Sequence, residues 1–74
     1  MESPHTTIRN KNHVVLEHDG VLLAEAKRDE PGKPWVVRKT HFGFTAALEV
    51  ATVDPCLSEV LQRKMVLAIL EVLA

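Results

Sequence analysis

A chain of 74 residues with a net charge of −1 forms one small domain, near the lower limit for a self-sufficient core. Its single cysteine, Cys56, excludes an internal disulfide and a cysteine-rich metal site, which leaves oligomerisation as the remaining support for so small a core. Residues 1–41 hold seven Lys/Arg against six Asp/Glu, and residues 42–74 hold two against four, without the positive excess of a dedicated nucleic-acid binder.

The chain opens on MESPHTTIRNKN, which is polar and carries Pro4. It reads as a flexible arm over residues 1–11, able to join a sheet edge from Ile8 onward, ahead of a single domain over 12–74. With no apolar run in it, no signal peptide is expected, and the expected location is cytoplasmic.

HVVLEHDGVLLAEAKR follows. Two β-rich runs flank Asp19-Gly20, a pair suited to the positive φ angles of a type I′ turn, so a hairpin is expected with strands at about 12–18 and 21–28. A two-residue turn places Leu16 opposite Leu23 and Val14 opposite Glu25. Val14, Leu16, Val21 and Leu23 are then the expected core face, with His13, Val15, Leu22, Ala24 and Ala26 on the other. Pro31-Gly32 fits a type II turn before a third strand at about 35–41. Setting Glu25 opposite Arg38 brings Arg28 opposite Trp35, so one register yields both an ion pair and a cation–π contact.

HFGF interrupts the pattern at Gly43. TAALEVATV then reads as a short helix over about 45–52, because Thr45 can cap it and Ala-Ala-Leu-Glu favours helix. The last element is a long helix over about 55–73, with Asp54 as N-cap and Pro55 in the first helical position. The expected fold class is α+β: a three-stranded antiparallel meander packed on this helix.

The helix poses the main question, because nine of its last ten residues are apolar and only Glu71 interrupts them. Leu57, Val60, Leu61, Met65, Ala68, Ile69 and Val72 form a stripe at helical spacing that is expected to cover the sheet. Val66, Leu67, Leu70 and Leu73 fall outside that stripe and are expected to join a second copy. The run is too short to cross a bilayer, which takes about 20 residues, so no membrane is expected as a partner.

Other motifs are weaker. His5, His13, His18 and His41 do not converge by sequence; His18 and His41 are the best pair, and no metal or cofactor is expected. Cys56 would lie in the first helical turn, where the positive helix end favours thiolate and His41 is a conceivable partner, but no oxyanion hole or cleft accompanies it. Lys11, His13, Arg28, Trp35 and Lys39 are the candidate ligand-facing patch of the sheet. The strand–strand–strand–helix order over residues 14–70, with its one tryptophan, resembles the small sheet domains that bind DNA arms in phage-type integrases. That resemblance implies DNA binding through the sheet and assigns no residue.

The expected function is therefore a non-enzymatic interaction module, an adaptor, inhibitor or accessory protein of the size found in mobile elements. It is expected to form a homodimer and to bind another protein. Nucleic-acid binding through the sheet is the alternative.

Overall fold

The computed structural model describes residues 3–41 and 44–74. The fold is α+β: an antiparallel five-stranded sheet followed by one helix. The strands are β1 (His5–Asn10), β2 (His13–His18), β3 (Val21–Lys27), β4 (Trp35–His41) and β5 (Phe44–Val53), and the helix is α1 (Glu59–Leu73). Spatial order follows chain order, so the sheet is a simple meander with β1 and β5 at its edges. The interruption expected at Gly43 lies outside the described residues.

Three strands were expected and five are present. The first addition comes from the expected arm, where His5 pairs with Glu17 and Ile8 with Val14 across a turn at Lys11-Asn12. Asn10 Oδ1 accepts from the Asn12 amide at 2.8 Å and closes that turn. The second addition replaces the expected short helix: residues 44–53 pair antiparallel with β4 from His41–Phe44 to Trp35–Val53. Local preference for helix in Ala-Ala-Leu-Glu yields to the open hydrogen-bonding edge of β4, which a helix could not have paired.

Both expected turns form. Asp19 and Gly20 have φ of 52° and 76°, as a type I′ turn demands. Gly32 has φ of 94° after Pro31, and the Lys33 amide donates to the Glu30 carbonyl.

The β2–β3 register departs from expectation by one residue. His18 pairs with Val21, but Leu16 pairs with Ala24 and Val14 with Ala26, because Leu23 is an extra residue on β3. This bulge turns β3 over: Ala24 and Ala26 join Val14 and Leu16 in the core, and Glu25 leaves it. The unbulged ladder would have put the Glu25 carboxylate under the helix, at a large desolvation cost. The β3–β4 register is the expected one, with Glu25 opposite Arg38 and Lys27 opposite Val36.

The helix is shorter than expected at its start. Asp54 closes a turn instead, its side chain accepting from the Cys56 amide at 2.8 Å. Ser58 is the N-cap, accepting from the Leu61 amide at 3.2 Å. Gln62, buried in the first turns of α1, donates to the carbonyls of Leu57 at 2.6 Å and Pro55 at 3.3 Å, which ties that turn to the helix.

One core forms between sheet and helix, from Val14, Leu16, Ala24, Ala26, Trp35, Val37 and Val53 below and Val66 and Leu70 above. The two alanines keep the sheet surface low where α1 crosses it. Among the described residues no helix is long and apolar enough to cross a membrane.

Candidate functional site

The residues expected to face a ligand divide between two sides of the sheet. Arg28 and Trp35 do meet, with the guanidinium carbon 4.8 Å from the ring centroid. They meet beside the helix, however, at 4% and 2% exposure, so the expected exposed face is corrected here. The one-residue bulge at Leu23 is the reason, since it sends the whole Ala24, Ala26, Arg28 and Trp35 set to the helix side. His13 lies on the other face, 3.0 Å from Glu25, while Lys11 and Lys39 are exposed.

Arg28 has no donor left for a ligand. Nε donates to Asn12 Oδ1 at 2.9 Å. Nη1 donates to Glu59 Oε1 at 2.8 Å and more weakly to Gln62 Oε1 at 3.5 Å. Nη2 donates to Glu59 Oε2 at 3.1 Å and to the Lys11 carbonyl at 3.2 Å. All five N–H groups of a guanidinium are thus engaged, two of them in a fork on one carboxylate. The group joins the β1–β2 turn, the end of β3 and the start of α1. Glu59 is held below the usual carboxylate range, chiefly by the hydrogen bond from Arg28; desolvation opposes this, and the charges of Arg28, Arg63 and Lys11 reinforce it. Asn12 and Gln62 carry no motif that would reveal them in the sequence; Glu59 reads there as the i, i+4 partner of Arg63, and its fork with Arg28 has no local signal.

The remaining chemistry is sparse. Among the described residues no group of three or more His, Cys, Asp or Glu could hold a metal. His18 lies 3.6 Å from Asp19. The side chain of His41, and with it the expected His18–His41 and Cys56–His41 pairs, lies outside the described residues. Cys56 is exposed in the Asp54–Leu57 turn, three residues before the helix begins, not in its first turn as expected. We expect Cys56→Ala to leave the urea midpoint and any association constant unchanged. Loss of association with an unaltered circular dichroism spectrum would overturn that.

The apolar surface also differs from expectation. Val66 and Leu70, expected in a contact between chains, are fully buried in the chain's own core, and Leu67 and Leu73 pack against it. The stripe expected to cover the sheet is largely the exposed one: Leu61, Met65, Ala68 and Val72 face outward, with Val72 at 84% exposure. The two stripes exchange roles because α1 is rotated about its axis relative to the expected placement. A helix apolar nearly all round gives no internal signal for which side turns inward.

Among the described residues, six of the eight exposed large hydrophobics lie on β5 and α1: Leu48, Val50, Val60, Leu61, Met65 and Val72. Between the two elements runs an open groove of about 290 Å³, lined by Val50, Ala51, Ala68, Ile69, Val72 and Leu73. A continuous apolar surface rimmed by polar groups is the usual mark of an interaction site.

The far face of the sheet has a different character. Arg9 bonds Glu17 at 2.8 Å, and His13 lies beside Glu25. Glu25, Arg38 and Glu49 follow one another across β3, β4 and β5. Acidic and basic groups alternate across these strands, so the face carries no extended run of positive charge for a polyanion. The sheet also has two strands more than the three-strand order that resembles integrase arm-binding domains.

No protein-family model, curated protein or solved structure matches the chain.

Proposed function

We propose that the protein is a non-enzymatic interaction module that self-associates through the outer side of α1 and acts by binding another macromolecule as a dimer. The observation that carries this reading is the spacing of the exposed stripe. Leu61, Met65, Ala68 and Val72 recur at intervals of four, three and four residues, the a/d spacing of a helix-pairing seam. At about 100° per residue they fall within roughly 60° of arc.

Charge supports a second copy as the occupant. Lys64 and Glu71 flank the seam on one side. An antiparallel partner, related by a two-fold axis near residues 67–68, brings Lys64 of one copy beside Glu71 of the other, and the reverse. Withdrawing Val72, which is mostly exposed, from water returns about 1.5–3 kcal/mol. Counted over both copies, with part of Leu61 and Met65 added, the sum is comparable with the roughly 4–15 kcal/mol cost of association.

Met65→Glu tests this reading. Met65 is exposed in the single chain, so the variant should fold with stability within about 0.5 kcal/mol of the parent at high dilution. Sedimentation over a concentration series should show a dimer for the parent and a monomer for the variant. A parent that stays monomeric at several hundred micromolar, or a variant that dimerises equally well, would remove the basis for the reading.

A further inference from the structure

At the loop end of the β3–β4 hairpin a second concavity, of about 310 Å³, has the opposite chemistry to the apolar groove. Its rim carries Lys27, Lys33 and Arg38, with Asp29 as the one acidic side chain. Lys27 and Val36 are register partners, and Arg38 lies two residues on from Val36, so the hollow opens on the sheet face away from α1. The type II turn at Pro31-Gly32 leads directly into Lys33, which lines the same hollow. Arg28 also borders the hollow, but its guanidinium is spent on Glu59 on the other side.

Among the described residues the three cations Lys27, Lys33 and Arg38 enter no ion pair and make no side-chain hydrogen bond, although acidic groups are near in register. Glu25, opposite Arg38, has its Oε2 3.0 Å from His13 on the β2 side of β3. Glu49, opposite Arg38 on β5, forms no ion pair with it. Elsewhere on this face charges are matched, as in Arg9–Glu17. Three like charges around one hollow repel one another, and this arrangement is stabilised by an anion seated between them.

We propose that this hollow is a binding site for a single phosphate group, with Lys27 and Lys33 as point charges and Arg38 as the planar guanidinium donor, all at its rim. A phosphate offers the charge and the acceptors for all three at once, whereas a carboxylate offers two oxygens and one charge. The site is on the opposite face from the self-association seam and does not depend on it.

The test is titration of the ¹⁵N-labelled protein with inorganic phosphate, against sodium chloride at matched ionic strength. Phosphate should produce saturable shifts confined to the amides of residues 27–38, and Lys27→Gln with Lys33→Gln should weaken the apparent affinity by about tenfold or more. Both changes are at exposed positions, so the spectrum should otherwise stay that of the folded parent. O-phosphoserine and adenosine monophosphate as further arms distinguish a phosphorylated side chain from a nucleotide as the source of the group; tighter binding of either supports the site. Shifts no larger than those from chloride, equal shifts with acetate, or shifts spread over Lys39, Arg63 and Lys64 would overturn it.

Discussion

Leu70→Ala should lower stability by about 2–5 kcal/mol, the range for emptying a leucine-sized volume in a packed core. Leu70 is fully buried between α1 and the sheet, in the same cluster as Val37, Val53 and Val66. A domain of this size seldom has more than about 3–5 kcal/mol of net stability, so the variant should be partly or wholly unfolded at room temperature. Leu70→Glu should be worse, because the carboxylate would have to enter that core unpaired. Urea denaturation followed by circular dichroism measures both. The contrast with Met65→Glu makes the result diagnostic: two charge insertions five residues apart on one helix should have opposite consequences, loss of the fold at 70 and loss only of association at 65. A Leu70→Glu chain that is folded and monomeric would return residue 70 to the contact between chains and displace it from the core.

The second large effect is expected at Arg28. Arg28→Met keeps an unbranched apolar stem and removes the guanidinium. It leaves the Asn12 side chain, the Lys11 carbonyl and Gln62 Oε1 without their donor, and Trp35 without the cation above its ring. Glu59 is half exposed and recovers water, which limits the loss. We expect a cost of about 2–4 kcal/mol, from buried acceptors left unpaired and packing removed. Trp35, the chain's one tryptophan, provides the readout: its emission should move to longer wavelength as water reaches the ring. An unchanged urea midpoint would show that the five hydrogen bonds contribute nothing net.

The same contact predicts a pH dependence. Glu59 titrates below its ordinary value in the folded chain because Arg28 hydrogen-bonds its ionised form. A group whose pKa is lowered by folding contributes stability that is complete above its unfolded pKa, and that is lost as pH falls through the folded value. The parent should therefore lose stability as pH falls below about 4.3, the ordinary glutamate value. Arg28→Met should lose less over the same interval, since its Glu59 has no guanidinium to protect. Parallel pH profiles for the two proteins would dissociate Glu59 from the effect.

Several features were legible in the residues themselves. Asp19-Gly20 and Pro31-Gly32 specify their turns, because few residue pairs adopt the required positive φ. The β3–β4 register followed from demanding partners for Glu25 and for Arg28 at once; the register and the Arg28–Trp35 contact are present, while Glu25 bonds His13 instead of forming an ion pair with Arg38. Strands β2 to β4 and a C-terminal helix were readable from β-branched runs and from helical spacing. An exposed apolar stripe does remain on the helix, but it is made of Leu61, Met65 and Val72 and not of the residues expected there.

What the residues could not determine was which side of each element faces inward. A bulge at Leu23 costs little locally and reverses every side chain beyond it, so the set containing Ala24, Ala26, Arg28 and Trp35 could be grouped correctly and still be assigned to the wrong face. The helix carries two apolar stripes of similar strength, and the choice of Val66 and Leu70 over Met65 and Val72 rests on their fit above two alanines. Strand β5 exists because the edge of β4 needed partners, which outweighs the helical preference of Ala46, Ala47 and Leu48. The start of α1 moved from Asp54 to Ser58 for a similar reason. Both residues can cap a helix, and the buried Gln62, holding the carbonyls of Pro55 and Leu57, selects the later one. Local sequence determined turns, periods and pairing chemistry. Packing between elements distant in sequence decided the faces, because a face is defined only by what covers it.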